Sequence, residues 1–145
     1  MRMENHMRLE FDSRSMNEGF ARVAVAAFVT ELNPTLDELA DVKTAVSEAV
    51  TNAIIHGYED GNGTVTLCCD IKDHVVEIIV SDTGKGIVDI ARAREPFFTT
   101  RPELERSGMG FAFMEAFMDS VEVESEPGKG TRVCMRKTFG RKDDC

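Results

Sequence analysis

Two side chains one helical turn apart, Glu48 and Asn52 in the stretch "VSEAVTNAIIHG", place a carboxylate and a carboxamide on one face of a predicted helix. A carboxylate held there can act as a base, and the neutral amide oxygen suits Mg²⁺, a hard cation that takes oxygen ligands. The same pair on a solvated helix face would do nothing, so other stretches must decide between the two readings. Three of them carry chemistry of a related kind. The strand "VVEIIVSD" runs straight into "DTGKG", which brings Asp82 out of a sheet beside Gly84 and Gly86. A strand-end carboxylate can accept a hydrogen bond from the exocyclic amine of adenine, and glycines let the backbone approach a flat ring. In "GMG", Gly108 and Gly110 open a predicted helix, whose free N–H groups and dipole favour phosphate. In "GKGT", Gly128 to Thr131 form the turn of a last hairpin. Each of these stretches alone reads as an ordinary turn or helix entry. Their joint occurrence, in this order and on these elements, points to a nucleotide.

The elements that must hold these residues follow from periodicity. "HMRLEF" alternates Met7, Leu9 and Phe11 with polar residues, as a half-buried strand does. Ser15 and Glu18 have capping-box spacing and predict a helix from Met16 to about Leu32, where "NPT" stops it. Thr35 and Glu38 repeat the spacing and predict a second helix from Leu36 to about His56, with Gly57 ending it. Its core stripe is Leu39, Val42, Val46, Val50, Ala53 and Ile54, which leaves Glu48 and Asn52 on another face. "TVTLCCDI" and "VVEIIVSD" predict a hairpin, "MGFAFMEAFMD" a short helix, and "VEVES" with "TRVCMRK" a second hairpin. Between "TGKGI" and "RSGMG" the pattern dissolves into a long Gly-, Pro- and Thr-containing segment, of a length that is usually functional or mobile. The order β-α-α-β-β-α-β-β predicts a two-layer α/β sandwich, mostly antiparallel, with helices on one face.

Composition sets the outer bounds. The chain has 145 residues, 42% apolar and 30% charged, which suits one soluble domain spanning 1–145. Its formal charge of −9 argues against direct nucleic-acid binding, which needs Lys and Arg to displace counterions. The longest strongly apolar run, "AVAAFV", is far below the roughly 20 residues that cross a membrane. No signal peptide is visible, and Cys68, Cys69, Cys134 and Cys145 form no metal-ligand spacing, so a cytoplasmic protein with reduced thiols is expected. His6, His56 and His74 are scattered singly, and none lies in a helical hairpin able to present a phospho-acceptor.

Taken together, "EAVTN", "DTGKG", "FFTTR", "GMG" and "GKGT" resemble the N box, glycine boxes and F-box region of the GHKL ATPase/kinase superfamily, whose nucleotide-binding domain is the Bergerat fold. "SEAVTNAIIHGY" and "PFFTTRPELERSGMGF" resemble in particular the bacterial anti-sigma serine kinases of sporulation. The resemblance covers nearly the whole chain. It implies ATP or ADP as nucleotide, with Mg²⁺ on Asn52. It implies that Asp82, helped by Thr131, reads the adenine amine and that Gly84 and Gly86 shape the adenine side. It places Thr99 and Thr100 at the start of an ATP lid of about residues 96–107, Arg106 toward the γ-phosphate, and Gly108 and Gly110 on phosphates. Glu48 becomes the general base for an oxygen nucleophile, a role worth roughly 10²–10⁴-fold.

The implied activity is that of a protein serine kinase and anti-sigma factor. It would bind a sporulation sigma factor, keep it from RNA polymerase, and phosphorylate a serine of an anti-anti-sigma antagonist. A simple ATPase and a non-catalytic, nucleotide-ordered sigma-binding module are the alternatives. The first helix is apolar around most of its circumference (Phe20, Val23, Ala24, Val25, Ala27, Phe28, Val29), more than packing on one side requires. With the resemblance, this predicts a homodimer through about residues 7–32, with Arg14 and Arg22 facing an acidic partner surface. A short charged tail, 140–145, ends the chain.

Overall fold

Alternation of apolar and polar residues builds the sheet. In a computed structural model, which describes residues 4–57, 63–84, 86 and 110–140, five strands form: β1 (Glu4–Asp12), β2 (Thr64–Lys72), β3 (Val75–Asp82), β4 (Ser120–Glu126) and β5 (Gly130–Thr138). Their order is β1-β2-β3-β5-β4, and every neighbouring pair is antiparallel. The β2–β3 turn is tight, with Asp73 at φ 57°, a left-handed conformation that aspartate tolerates better than most residues. The expected lid (96–107), with Thr99, Thr100 and Arg106, lies outside the described residues, as do Gly108 and residues 141–145 of the tail.

Register decides which side chains share a face. Phe11, Val65, Asp82, Thr131 and Ser125 fall in one cross-strand row, at the sheet end where β3 runs into "DTGKG". Met7, Cys69, Ile78, Met135 and Val121 form a second row on that same face. This face meets the helices and holds the core, with Val65, Leu67, Ile78 and Met135 fully covered. The opposite face is laced with pairs such as His6–Asp70, Arg8–Glu10, Arg132–Glu124 and Arg136–Glu77. The expected placement of helices on one face therefore holds.

The helices are α1 (Met16–Val29), closed by a 3₁₀ turn (Thr30–Leu32), α2 (Leu36–Asn52), followed by a π turn (Ala53–Gly57), and α3 (Gly110–Phe117). The second capping box forms as expected, with Glu38 N–H donating to Thr35 Oγ1 at 3.0 Å and Thr35 N–H to Glu38 Oε1 at 2.9 Å. The first does not form. Ser15 is itself helical, and its side chain caps nothing. Glu18 instead lies buried between α1 and α2, accepting from Ser47 Oγ at 2.6 Å and from Arg22 at 3.1 Å. A buried carboxylate needs strong donors, and those two outcompete an exposed backbone N–H. The end of α2 is a second difference: the α-helix stops at Asn52 rather than continuing to His56. Single π turns of this kind recur at functional sites.

On α1, Ala21, Val25 and Val29 face the core, whereas Met16 (76% exposed), Phe20 (60%) and Val23 (60%) form a separate stripe open to solvent. The second apolar surface read from the sequence is therefore present and uncovered.

Candidate functional site

The site's first part is the end of the sheet. Asp82 is buried as the last residue of β3, yet it is a carboxylate among apolar neighbours. Burial raises its pKa above the usual range, and the backbone N–H groups of Gly84 and Thr131 partly offset this by bonding the carboxylate. The Gly84 bond, to Asp82 Oδ1, is 2.9 Å. Those two N–H groups also fix the carboxylate's direction, so it stands as an oriented acceptor.

Two glycines make this geometry possible. Gly130 has φ +96°, and a Cβ built on it would lie 2.1 Å from the Asp82 carbonyl oxygen. Gly86 has φ +79°, and its Cβ would lie 2.0 Å from the carbonyl oxygen of Glu126. Both positions therefore demand glycine twice over, by conformation and by contact. Through them the "DTGKG" segment and the β4–β5 turn close against each other. Thr131 stands opposite Asp82 in register, half-buried, with its Oγ1 2.8 Å from Ser125 Oγ.

The second part lies on α2 and α3. Glu48 and Asn52 are half-buried and separated by four residues on α2, which keeps them on one face. Gly110 opens α3 directly against Asn52: a Cβ on it would meet Asn52 Nδ2 at 3.0 Å and Oδ1 at 3.3 Å. The amide of Asn52 thus lies at the N-terminal end of α3, where backbone N–H groups point outward and favour anions. The π turn after Asn52 packs on β3 and β5, which ties this helix end to the sheet. Among the described residues no cluster of three or more His, Cys, Asp or Glu side chains could cage a metal ion. One amide oxygen beside an anion site is nevertheless a fitting donor set for Mg²⁺, which keeps several waters and binds largely through substrate phosphates.

The sequence model of the histidine kinase-like ATPase domain matches residues 11–137. The chain belongs to this family. It is 58% identical over 142 residues to the anti-sigma F factor of Clostridium acetobutylicum, covering 98% of this chain and 99% of that one. It is 61% identical over 141 residues to the anti-sigma F factor of Geobacillus stearothermophilus, covering 97% of both. Among solved structures, the RsbU and RsbW domains of Rv1364c from Mycobacterium tuberculosis superpose with a TM-score of 0.69 at 20% identity, over 95% of this chain and 33% of that one. The catalytic domain of the histidine kinase ThkA superposes with a TM-score of 0.56 at 17% identity, over 92% of this chain and 96% of that one. These two likenesses concern the fold.

Within the family's nucleotide-binding frame, the structure brings Asp82, Gly84, Gly86 and Thr131 together at one end of the sheet, and Asn52 and Gly110 together at a helix junction. Sequence reasoning missed two participants at the sheet end. Gly130 was visible only as one glycine of a turn. Ser125 was visible only as the end of "VEVES", although the inward positions of Val121 and Val123 extend by alternation to Ser125. Of the two arginines expected to face a partner, Arg14 is exposed. Arg22 is 39% exposed at its side chain, and its guanidinium donates inward to Glu18 and Ser47. No described helix is long and apolar enough to cross a membrane.

Proposed function

We propose that the protein is an anti-sigma factor and a Mg²⁺- and ATP-dependent protein serine kinase, which binds a sporulation sigma factor and phosphorylates a serine of an anti-anti-sigma antagonist. The observation that carries the catalytic half is the pairing of Glu48 with an Asn52 packed against the first residue of α3. Full-length identity near 60% to anti-sigma F factors supports the binding half. Bound ATP supplies the γ-phosphoryl group, which joins the serine oxygen as its bond to ADP breaks. Glu48 takes the proton of that serine hydroxyl. Asn52 holds Mg²⁺ through its amide oxygen, and Gly108 and Gly110 offer backbone N–H groups to the phosphates. Thr99, Thr100 and Arg106 belong to a lid of about residues 96–107, with Arg106 toward the γ-phosphate. Asp82 and Thr131 select adenine. All of this takes place in one domain in the cytoplasm, without direct nucleic-acid or membrane contact.

The solvent-facing stripe of Met16, Phe20 and Val23 on α1 supports a homodimer, since a two-fold interface needs one self-complementary patch. Residues 7–32 would supply that interface and the adjoining sigma-binding surface, with Arg14 and Arg22 meeting an acidic partner. Sedimentation showing only monomer at micromolar concentration would defeat the dimer. Arg14→Glu is the cleaner test of partner binding, because a carboxylate at position 22 would crowd the buried Glu18.

The deciding experiment incubates the protein with labelled ATP and Mg²⁺, with and without a candidate antagonist. Label on an antagonist serine is expected. Label only in free phosphate would make the protein a simple ATPase, and no turnover would make it a binding module. Glu48→Ala should keep ATP affinity within a few fold and lose phosphoryl transfer, because a base acts chiefly on the transition state. Near-normal transfer by this variant would remove Glu48 from its role.

A further inference from the structure

Ser47 directly precedes Glu48 on α2, but its side chain meets α1. Serine is an indifferent residue for a helix interior, where its hydroxyl competes for nearby backbone carbonyls. Here the hydroxyl crosses to another helix. Ser47 Oγ donates to Glu18 Oε2 at 2.6 Å and accepts from Arg22 Nη1 at 3.3 Å. The same Nη1 donates to Glu18 Oε2 at 3.1 Å. Three side chains on two helices thus close a triangle. A carboxylate only accepts and a guanidinium only donates, so the serine between them takes from one and gives to the other. Glu18 is buried while the Arg22 side chain is 39% exposed, so the triangle is anchored inside and ends at the surface.

All of these bonds leave Arg22 from Nη1. Its other edge, Nε with Nη2, makes no hydrogen bond to the described residues. That edge is a planar fork of parallel N–H groups, the shape that holds a carboxylate through two hydrogen bonds. One turn earlier on α1, Gly19 stands inside the helix, where glycine is less stabilising than alanine, and it has no positive φ to require it. A Cβ built on Gly19 has one neighbour within 4 Å among the described residues, Arg22 Nη2 at 3.7 Å. Glycine at this position therefore leaves the fork uncovered. Met16, Phe20 and Val23 are open to solvent along the same helix. A cationic fork beside an apolar stripe fits a protein surface that sets a carboxylate among apolar side chains.

We propose that Ser47 is a positioning residue for partner recognition: with Glu18 it fixes the inner side of the Arg22 guanidinium, so that the Nε–Nη2 edge, left open by Gly19, is held ready for a partner carboxylate. The inference rests on the reading of Arg22 as a partner contact and deepens it. Ser47 itself touches no partner and acts through Arg22. Holding the guanidinium in place before binding removes the rotamer entropy that a free arginine would lose on meeting the carboxylate.

The test measures the affinity of a purified sporulation sigma factor for the full chain, with Mg²⁺ and ATP present, by calorimetry. The variants are Ser47→Ala, Ser47→Thr, Arg22→Gln and the double variant Ser47→Ala with Arg22→Gln. Thermal melts and sedimentation confirm that each is folded and in the same oligomeric state as wild type. Ser47→Ala should bind the sigma factor about tenfold more weakly. Ser47→Thr, which keeps the hydroxyl, should restore most of the loss, and ATP affinity should stay within about twofold throughout. In the Arg22→Gln background, Ser47→Ala should have no further effect. Wild-type affinity in Ser47→Ala, with Arg22→Gln impaired, overturns the inference and leaves the reading of Arg22 standing. A loss that persists in the Arg22→Gln background overturns it too, because the effect would not pass through Arg22. Wild-type affinity in Arg22→Gln would overturn the reading of Arg22 and this inference with it. A second pair of variants leaves the triangle intact. Gly19→Gln lays a neutral side chain over the fork and should weaken the sigma factor at least fivefold, whereas Gly19→Ala should stay within about twofold. Normal binding by Gly19→Gln would show that the outer edge of Arg22 is not the contact and overturn the proposal.

Discussion

Gly128 and Gly130 lie two residues apart, bounding the same turn, and both have positive φ, +81° and +96°. An alanine at either must adopt a left-handed conformation, which costs roughly 1–2 kcal/mol and is offset by about 0.4–1 kcal/mol from stiffening the unfolded chain. Only their surroundings differ. A Cβ on Gly128 meets nothing within 4 Å. A Cβ on Gly130 would sit 2.1 Å from the Asp82 carbonyl oxygen and 2.7 Å from Thr83 Cα, against an ordinary contact of 3.4–4 Å. Those are backbone atoms at the end of a paired strand and just beyond it, so no rotamer change relieves the clash. Opening the strand pair adds a further ~1–3 kcal/mol, the usual range for overpacking. Gly128→Ala should therefore cost about 1 kcal/mol and Gly130→Ala about 2–4 kcal/mol. For a chain of this size the corresponding falls in Tm are roughly 3 °C and 6–15 °C. Function separates the pair further. Gly130→Ala pushes on the residue that holds the buried carboxylate, so folded variant should lose ATP affinity at least tenfold, whereas Gly128→Ala should bind normally. Thermal melts and nucleotide titrations check both. A Gly130→Ala protein within about 2 °C of Gly128→Ala, or one that binds ATP normally, would refute the argument from close approach.

Two carboxyls should give stability profiles of opposite slope. Asp82 has its pKa raised, first by burial, so the folded state keeps a proton that the unfolded chain has released. Its contribution is present in acid and lost as pH rises through the folded value, so wild type should gain on Asp82→Asn as pH falls from about 7 to about 4. At Glu38, burial pushes the pKa up, but N–H bonds from Thr35 and Gly140 and the charge of Lys137 outweigh it and the net shift is downward. That contribution is present at neutral pH and lost in acid, so wild type should lose ground to Glu38→Gln over the same interval; urea melts showing one sign for both would contradict these environments. The Ser13 hydroxyl is buried with no hydrogen-bond partner among the described residues, so Ser13→Ala should raise stability by about 0.5–1 kcal/mol in the same melts, and a loss of more than that would show that the hydroxyl is bonded.

What the sequence revealed, and what it hid, divides along a physical line. Strands, helices and their faces follow from local periodicity, and the hairpins "TVTLCCDI"/"VVEIIVSD" and "VEVES"/"TRVCMRK" were legible because alternation and turn residues act over a few positions. The place of Asp82 at the end of β3, and of Glu48 and Asn52 on one face of α2, was legible for a related reason: each follows from its own element. The capping box at Ser15 and Glu18 was misread because its competitor is distant in sequence. Ser47 lies on another helix, and nothing near Glu18 announces that a hydroxyl 29 residues away will take its carboxylate. The strand order hid more. That β5 lies between β3 and β4 is what sets Thr131 beside Asp82 on one side and Ser125 on the other. Once those three are adjacent, the Ser125 hydroxyl lies 2.9 Å from the Gly130 carbonyl oxygen and 2.8 Å from Thr131 Oγ1, contacts that no single strand announces. A sequence motif names residues on separate elements, but which of them share one cross-strand row is a property of the assembled sheet.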